Sequence, residues 1–201
     1  MELKVVKFGG SSLADAEQFR KVANIIRSDD ARRYVIPSAP GKRFDGDEKV
    51  TDLLYALYRA YHGEGDIASV FCKITTRFDE IISDLGLNLS LECEYLKIQK
   101  DLDNGAGSDY AASRGEYLNG IILSAYLGFT FIDAASCIFF RADGQLDAEK
   151  TNNYLKGLLK AYPRAVIPGF YGVMPDGNVT TFSRGGSDIT GSIVARASAA
   201  T

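Results

Sequence analysis

Two short segments carry residue types that could do chemistry. Lys7-Phe-Gly-Gly-Ser-Ser closes an apolar run at the N-terminus, and Ser183-Arg-Gly-Gly-Ser-Asp188 precedes the run Ile-Thr-Gly-Ser-Ile-Val-Ala-Arg. Each reads as an extended segment feeding two glycines, then small hydroxyl or acidic residues, then a helical pattern. Glycine removes the Cβ and tolerates φ > 0, and the start of a helix supplies unsatisfied N–H donors, so such a turn aims bare backbone at an anion. One copy is a weak signal. Two copies, one led by Lys7 and the other by Arg184, point to phosphate chemistry on a small molecule.

Other chemistries have little to work with. His62 is the single histidine, beside Gly63 at an expected helix end, so serine–histidine and histidine–metal mechanisms lack their parts. Cys72, Cys93 and Cys137 are widely spaced with no Cys-x-x-Cys, which argues against a zinc site or a disulfide framework and for a reducing, cytoplasmic setting. A formal net charge of −3, with Lys and Arg scattered, speaks against a nucleic-acid or membrane-surface binder, and no apolar run approaches the ~20 residues of a membrane span. With 201 residues, 46% hydrophobic and 24% charged, the chain can bury a sizeable core without staples.

The elements that must position these segments follow from periodicity. Residues 3–8, 33–37, 129–133 and 165–168 read as strands. Residues 15–28 read as a helix with Phe19, Val22, Ala23 and Ile26 on one stripe, and residues 50–127 are almost wholly helical, with stripes at Leu53, Leu54, Leu57 and Tyr61 and at Leu91, Tyr95, Ile98 and Leu102. Helices are expected at 113–127, 147–161 and 189–199, and a hairpin over 172–182 with Asp176-Gly177 near its turn. Strands separated by helices imply an α/β fold, a parallel or mixed sheet covered on both faces. The polar stretch 41–49 is long enough to move over a site.

Lys7-Phe-Gly-Gly-Ser-Ser, Ser38-Ala-Pro-Gly-Lys, Ser113-Arg-Gly-Glu, Gly169-Phe-Tyr-Gly and Ser183-Arg-Gly-Gly-Ser-Asp occur in the order seen in aspartate kinases, so the chain resembles that branch of the amino-acid kinase family from residue 4 to about 198. The resemblance implies a three-layer αβα sandwich and transfer of the ATP γ-phosphoryl to the side-chain carboxylate of L-aspartate, giving 4-phospho-L-aspartate. It implies ATP with Mg2+ bound through its phosphates, no metal ligands from this chain, a cytoplasmic enzyme of amino-acid biosynthesis and a homo-oligomer. Lys7 would neutralise charge on the transferred group, with Gly9, Gly10 and Ser11 on the phosphates and Asp188 orienting the lysine. Ser11 or Ser12 would otherwise serve only as a helix N-cap. Arg184 would fork onto the substrate α-carboxylate, Glu116 would take its ammonium, and Ser38, Phe170, Gly185, Gly186 and Ser187 would line the substrate.

For Glu116 the alternative is a glutamate on a solvated helix face shared with Asn119 and Leu123; for Asp188 it is a first-turn acid favoured by the helix dipole. Alternatives to the activity are a kinase of another amino acid and a non-catalytic aspartate-binding module. The chain has no tryptophan and lacks the Trp/Phe-Thr-Asp-Val-Pro-Gly motif of that family's adenine pocket, and its last helical pattern runs to the C-terminus without a stop signal. It is therefore expected to be the N-terminal, substrate-binding part of the kinase domain, inactive or weakly active alone.

Overall fold

The computed structural model describes residues 3–183 and 185–199. A four-stranded sheet runs β1 (Lys4–Phe8), β2 (Arg32–Pro37), β4 (Ala165–Val166), β3 (Thr130–Phe131), all neighbours parallel. The four expected strands thus share one sheet, although the two later ones are short. In the 129–133 segment Asp133 ends the strand by accepting from the Ala135 amide and starting a 3-10 turn. The expected hairpin forms a second, antiparallel pair, β5 (Tyr171–Val173) and β6 (Val179–Thr181), with Gly177 at φ 87° in its turn.

Parallel strands require crossover connections, and these supply the layers. Register pairs Lys7 with Ile36, Tyr34 with Ala165, and Ala165 in turn with Thr130. These side chains share the face covered by α6 (Ala148–Ala161) and α7 (Gly186–Ser198). The Tyr34 hydroxyl donates to the Leu159 carbonyl at 2.7 Å, and a Cβ on Gly191 would lie 3.9 Å from the Lys7 Cβ. Residues of the opposite parity, such as Phe131, meet α5 (Ser108–Leu127) at Gly120. Around α5 pack α1 (Ala16–Arg27), α2 (Val50–Tyr61), α3 (Ile67–Asp84) and α4 (Glu92–Asp103), completing three layers. Among the described residues no helix is long and apolar enough to cross a membrane.

In the α1, α2 and α4 stripes Phe19, Val22, Ala23, Ile26, Leu53, Leu54, Leu57, Leu91, Tyr95, Ile98 and Leu102 are buried, while Tyr61 at the end of the α2 stripe is only partly so. His62 is the exposed residue capping the end of α2, with Nδ1 2.9 Å from the Tyr58 carbonyl oxygen. Three expectations need correction. Helix α1 is capped by Asp15, which accepts from the Gln18 amide at 2.9 Å, because a 3-10 turn over Gly10–Leu13 separates it from the glycines; Ser11 and Ser12 therefore do not cap it. Helix α7 begins at Gly186, not Ile189, because Gly185 at φ 59° turns the chain directly into it. The 113–127 helix starts at Ser108 and has no solvated face around Glu116: from Ala111 to Leu123 every residue but Ile121 is buried, since α5 lies between the sheet and the outer helices.

The polar stretch 41–49 is bridged by ion pairs: the Arg43 guanidinium lies 3.0 Å from both the Asp47 and the Glu80 carboxylates, and Lys73 reaches Glu48 at 2.8 Å.

Candidate functional site

The segments singled out by sequence converge at the C-terminal edge of the parallel sheet, the edge where open α/β sheets place ligands. β1 delivers Lys7 and the Gly9-Gly10 turn, and β2 delivers Ser38-Ala39-Pro40-Gly41. The loop after β4 delivers Gly169-Phe170, and the start of α7 delivers Gly185, Gly186, Ser187 and Asp188. The Lys7 ammonium is 3.1 Å from Asp188 Oδ1, and Ser38 Oγ is 3.1 Å from Ser187 Oγ. Both glycine turns therefore face one cleft. Arg184 lies outside the described residues.

The turns are held by backbone pressed on backbone. The Gly41 amide donates to the Gly10 carbonyl at 2.9 Å. A Cβ on Gly10 would sit 2.8 Å from the Ala39 carbonyl oxygen, and one on Gly41 would sit 2.7 Å from the Gly10 carbonyl carbon. Glycine is needed here for close approach and not for unusual torsion, since Gly9 is extended at φ −75°. On the other wall a Cβ on Gly169 would fall 2.7 Å from Ser187, and one on Gly186 would fall 2.8 Å from the Phe170 Cα. Phe170 itself is held at φ 82°, with its amide donating to Thr190 Oγ1 at 3.2 Å. A non-glycine residue in that region stores strain, and such strain concentrates at ligand sites.

A direct test of the tight wall follows. Gly10→Ala or Gly41→Ala should cost about 1–3 kcal/mol by overpacking against backbone. Gly157→Ala in α6, where nothing lies within 4 Å of the added Cβ, should instead gain about 0.5–1 kcal/mol. Urea unfolding of the three variants gives the comparison; equal effects at all three positions would show that the wall is not tight.

Between the loops after β1 and β2 lies a cleft of about 430 Å³ lined by Gly10, Ser11, Ser38, Gly41, Lys42 and Glu116, among others; Lys7 and the 185–188 turn stand beside it and do not line it. A smaller depression of about 300 Å³ beside Arg43 and Glu80 is lined by the ion pairs that bridge residues 41–49, so the turn-lined cleft is the better candidate. Glu116 is its most unusual group. It is 6% exposed, and its Oε2 has no hydrogen-bond partner. Burial pushes its carboxyl up to about 7; the Ala39 amide, its own amide and the Arg114 charge pull less strongly the other way. One turn further along α5, fully buried Asn119 donates to the Ser38 carbonyl at 2.7 Å, which fixes its amide orientation and leaves Oδ1 unpartnered. Two acceptor oxygens without donors, beside a cleft, suit a cationic donor group.

Sequence reasoning missed Gly41, Lys42, Lys49 and Thr51, which also line the cleft, and Asn119. The Ser38-Ala-Pro-Gly-Lys run contained the signal for Gly41 and Lys42; nothing local marked Asn119, whose partner Ser38 lies 81 positions away. Among the described residues no group of three His, Cys, Asp or Glu side chains could hold a metal ion.

Comparison with known proteins agrees with this architecture. Residues 2–201 match the profile of the Amino acid kinase family. Aspartokinase 3 of Bacillus subtilis is 36% identical over 210 residues, covering 96% of this chain and 46% of that protein. An aspartokinase of Chlamydia trachomatis is 28% identical, covering 94% of this chain and 45% of its own length. Among solved structures, Clostridium acetobutylicum aspartate kinase superposes with a TM-score of 0.96 at 50% identity over 100% of this chain and 46% of that one. Escherichia coli aspartokinase III, in complex with aspartate and ADP, gives a TM-score of 0.81 at 24% identity over 99% of this chain and 47% of that one, a likeness of fold. The chain spans about half the length of the curated relatives it matches.

Proposed function

The chain belongs to the amino acid kinase family, and on that premise we propose that it forms the amino-acid- and phosphate-holding part of an aspartate kinase. The reaction is transfer of the ATP γ-phosphoryl to the side-chain carboxylate of L-aspartate, giving 4-phospho-L-aspartate, a step of amino-acid biosynthesis in the cytoplasm. The observation that carries this reading is Glu116: a carboxylate buried without a donor for Oε2, on the wall of a cleft also lined by Gly10, Gly41, Lys42 and Lys49. Leaving a buried charge unpaired is costly. A substrate ammonium removes that cost.

The division of labour follows from charge. The aspartate side-chain carboxylate is already ionised at neutral pH, with an ordinary pKa near ~3.9, so the site needs no general base. What remains is to bring two anions into line and to neutralise the group in transit. In this reading Lys7 takes the second task, and Asp188, 3.1 Å from its ammonium, orients it. Gly9, Gly10 and Ser11 form the phosphate wall. Glu116, with Asn119 Oδ1 one turn away, takes the ammonium, and Arg184 forks onto the α-carboxylate. Ser38, Phe170, Gly185, Gly186 and Ser187 shape the rest of the amino-acid subsite. Magnesium enters with the nucleotide, held by its phosphates. A homo-oligomeric state belongs to the same reading.

Incubation with ATP, magnesium, L-aspartate and hydroxylamine tests it, since hydroxylamine converts an acyl phosphate to a stable hydroxamate. Aspartyl hydroxamate with stoichiometric ADP, formed at a low rate by this chain alone, is the expected product. Calorimetric titration with aspartate gives a second readout; binding without product would assign a recognition module, and neither binding nor product would remove the proposal.

A further inference from the structure

The geometry points to Arg77 on α3 as a positioning residue for the phosphate side of the cleft, an inference that rests on the phosphoryl-transfer reading above. Arg77 is 4% exposed and lies outside the cleft. Its Nη1 donates to the carbonyls of Gly41 at 3.1 Å and Ala14 at 3.4 Å. Its Nη2 donates to Asp47 Oδ2 at 2.5 Å and to the Glu48 carbonyl at 3.2 Å. Ala14 closes the 3-10 turn that begins at Gly10. Gly41 is the residue whose amide grips the Gly10 carbonyl. One guanidinium therefore spans the loop after β1 and the loop after β2, and fixes the gap between them at the point where phosphates are read.

A planar fork of donors makes this possible; an ammonium is a compact point charge and cannot reach four acceptors spread over two loops. The 41–49 stretch carries its own brace, because Arg43 reaches Asp47 through its backbone amide at 2.9 Å and through its guanidinium at 3.0 and 3.1 Å. Loss of Arg77 thus leaves Asp47 paired and leaves the Gly41–Gly10 backbone contact to hold the two loops together without the guanidinium that spans them.

The amino-acid side is anchored separately. The Ser38 amide donates to the Phe8 carbonyl at 3.0 Å, the Ser38 carbonyl accepts from Asn119, and its hydroxyl meets Ser187. None of these contacts passes through Arg77. Its removal should therefore disturb nucleotide handling and spare aspartate recognition, a split that general destabilisation does not produce.

The test combines amide hydrogen exchange with steady-state kinetics on Arg77→Met and Arg77→Lys. In Arg77→Met, exchange should rise about tenfold or more in peptides covering 9–14 and 41–49, as expected for lost hydrogen bonds, with α5 unchanged. The specificity constant for ATP should fall on the order of 10²-fold, the effect of a misplaced reactant, while the aspartate KM stays within about twofold. Arg77→Lys should recover part of both, and it carries the same comparison where the methionine variant does not fold. Uniform acceleration of exchange, unchanged exchange in both loops, or parallel shifts in the two KM values would each overturn the assignment. The exchange pattern decides the role of Arg77 even where the wild-type chain forms no acyl phosphate, an outcome that would instead remove the functional proposal.

Discussion

Replacing Glu116 with glutamine should stabilise the unliganded chain at pH 8 and abolish most of its affinity for aspartate. Burial raises the folded-state pKa of this carboxyl from 4.5 to about 7. Between those values the folded state keeps a proton that the unfolded state has lost. Stability contributed by the protonated form is therefore complete below about pH 4.5, falls as pH rises, and levels off above about pH 7. Integrated over the window, the cost is about 3 kcal/mol. Glutamine carries no charge to desolvate, but its amide leaves a donor to satisfy, which returns part of the gain. The net expectation is about 1–3 kcal/mol in favour of Glu116→Gln at pH 8, shrinking to nothing near pH 4.5. Binding moves the other way: a substrate ammonium that loses its charged partner should bind about 2–5 kcal/mol more weakly, as should Arg184→Ala through the α-carboxylate. Chemical denaturation at pH 4.5, 6 and 8 with calorimetric titration of aspartate measures both. A variant that is less stable at pH 8 and binds aspartate as well as wild type would show that Glu116 serves packing alone.

Lys7→Ala should lower kcat by about 10²–10³ while leaving thermal stability almost unchanged. The two halves have different causes. Lys7 and Asp188 form an ion pair at 3.1 Å in which the Asp188 side chain is 69% exposed. An exposed pair contributes about 0–1 kcal/mol to folding, so its loss should shift the melting temperature by no more than about 2–4 °C. In the proposed reaction, however, the ammonium would meet charge that builds up as the phosphoryl group moves, and a donor aimed at such charge is worth about 10²–10³ in rate. The aspartate KM should change little, because uniform binding is not what is removed. Asp188→Asn should reproduce part of the loss, since it frees the ammonium to leave the glycine turns. Steady-state kinetics beside a melting curve settle the matter. A large drop in melting temperature with unchanged turnover would make the pair structural.

Much of the layout was written locally. The four parallel strands, the stripes of α1, α2 and α4, the hairpin turn at Gly177 and the two glycine turns follow from periodicity and backbone sterics, which act over a few residues. Lys7, Gly9, Gly10, Ser11, Ser38, Glu116, Phe170, Gly185, Gly186, Ser187 and Asp188 were all singled out from sequence motifs, and the sheet brings them to one edge. Their convergence is a consequence of strand order, which sequence did not display. Parallel strands β1 and β2 place Lys7 beside Ile36, and the long return through α7 sets Asp188 against Lys7 across 181 positions.

The rest depended on tertiary packing. Glu116 could be read as a solvated glutamate because α5 is enclosed on every side, and an enclosed helix shows no polar stripe to betray which residues are buried. Only the layering of α5 between sheet and outer helices makes its carboxyl a buried group whose Oε2 lacks a donor. The 41–49 stretch has the composition of a mobile loop, yet Arg43 and Arg77 hold it from within and from a helix 30 positions away. Composition reports how well a segment tolerates water. Whether a distant guanidinium holds it in place is decided by the fold.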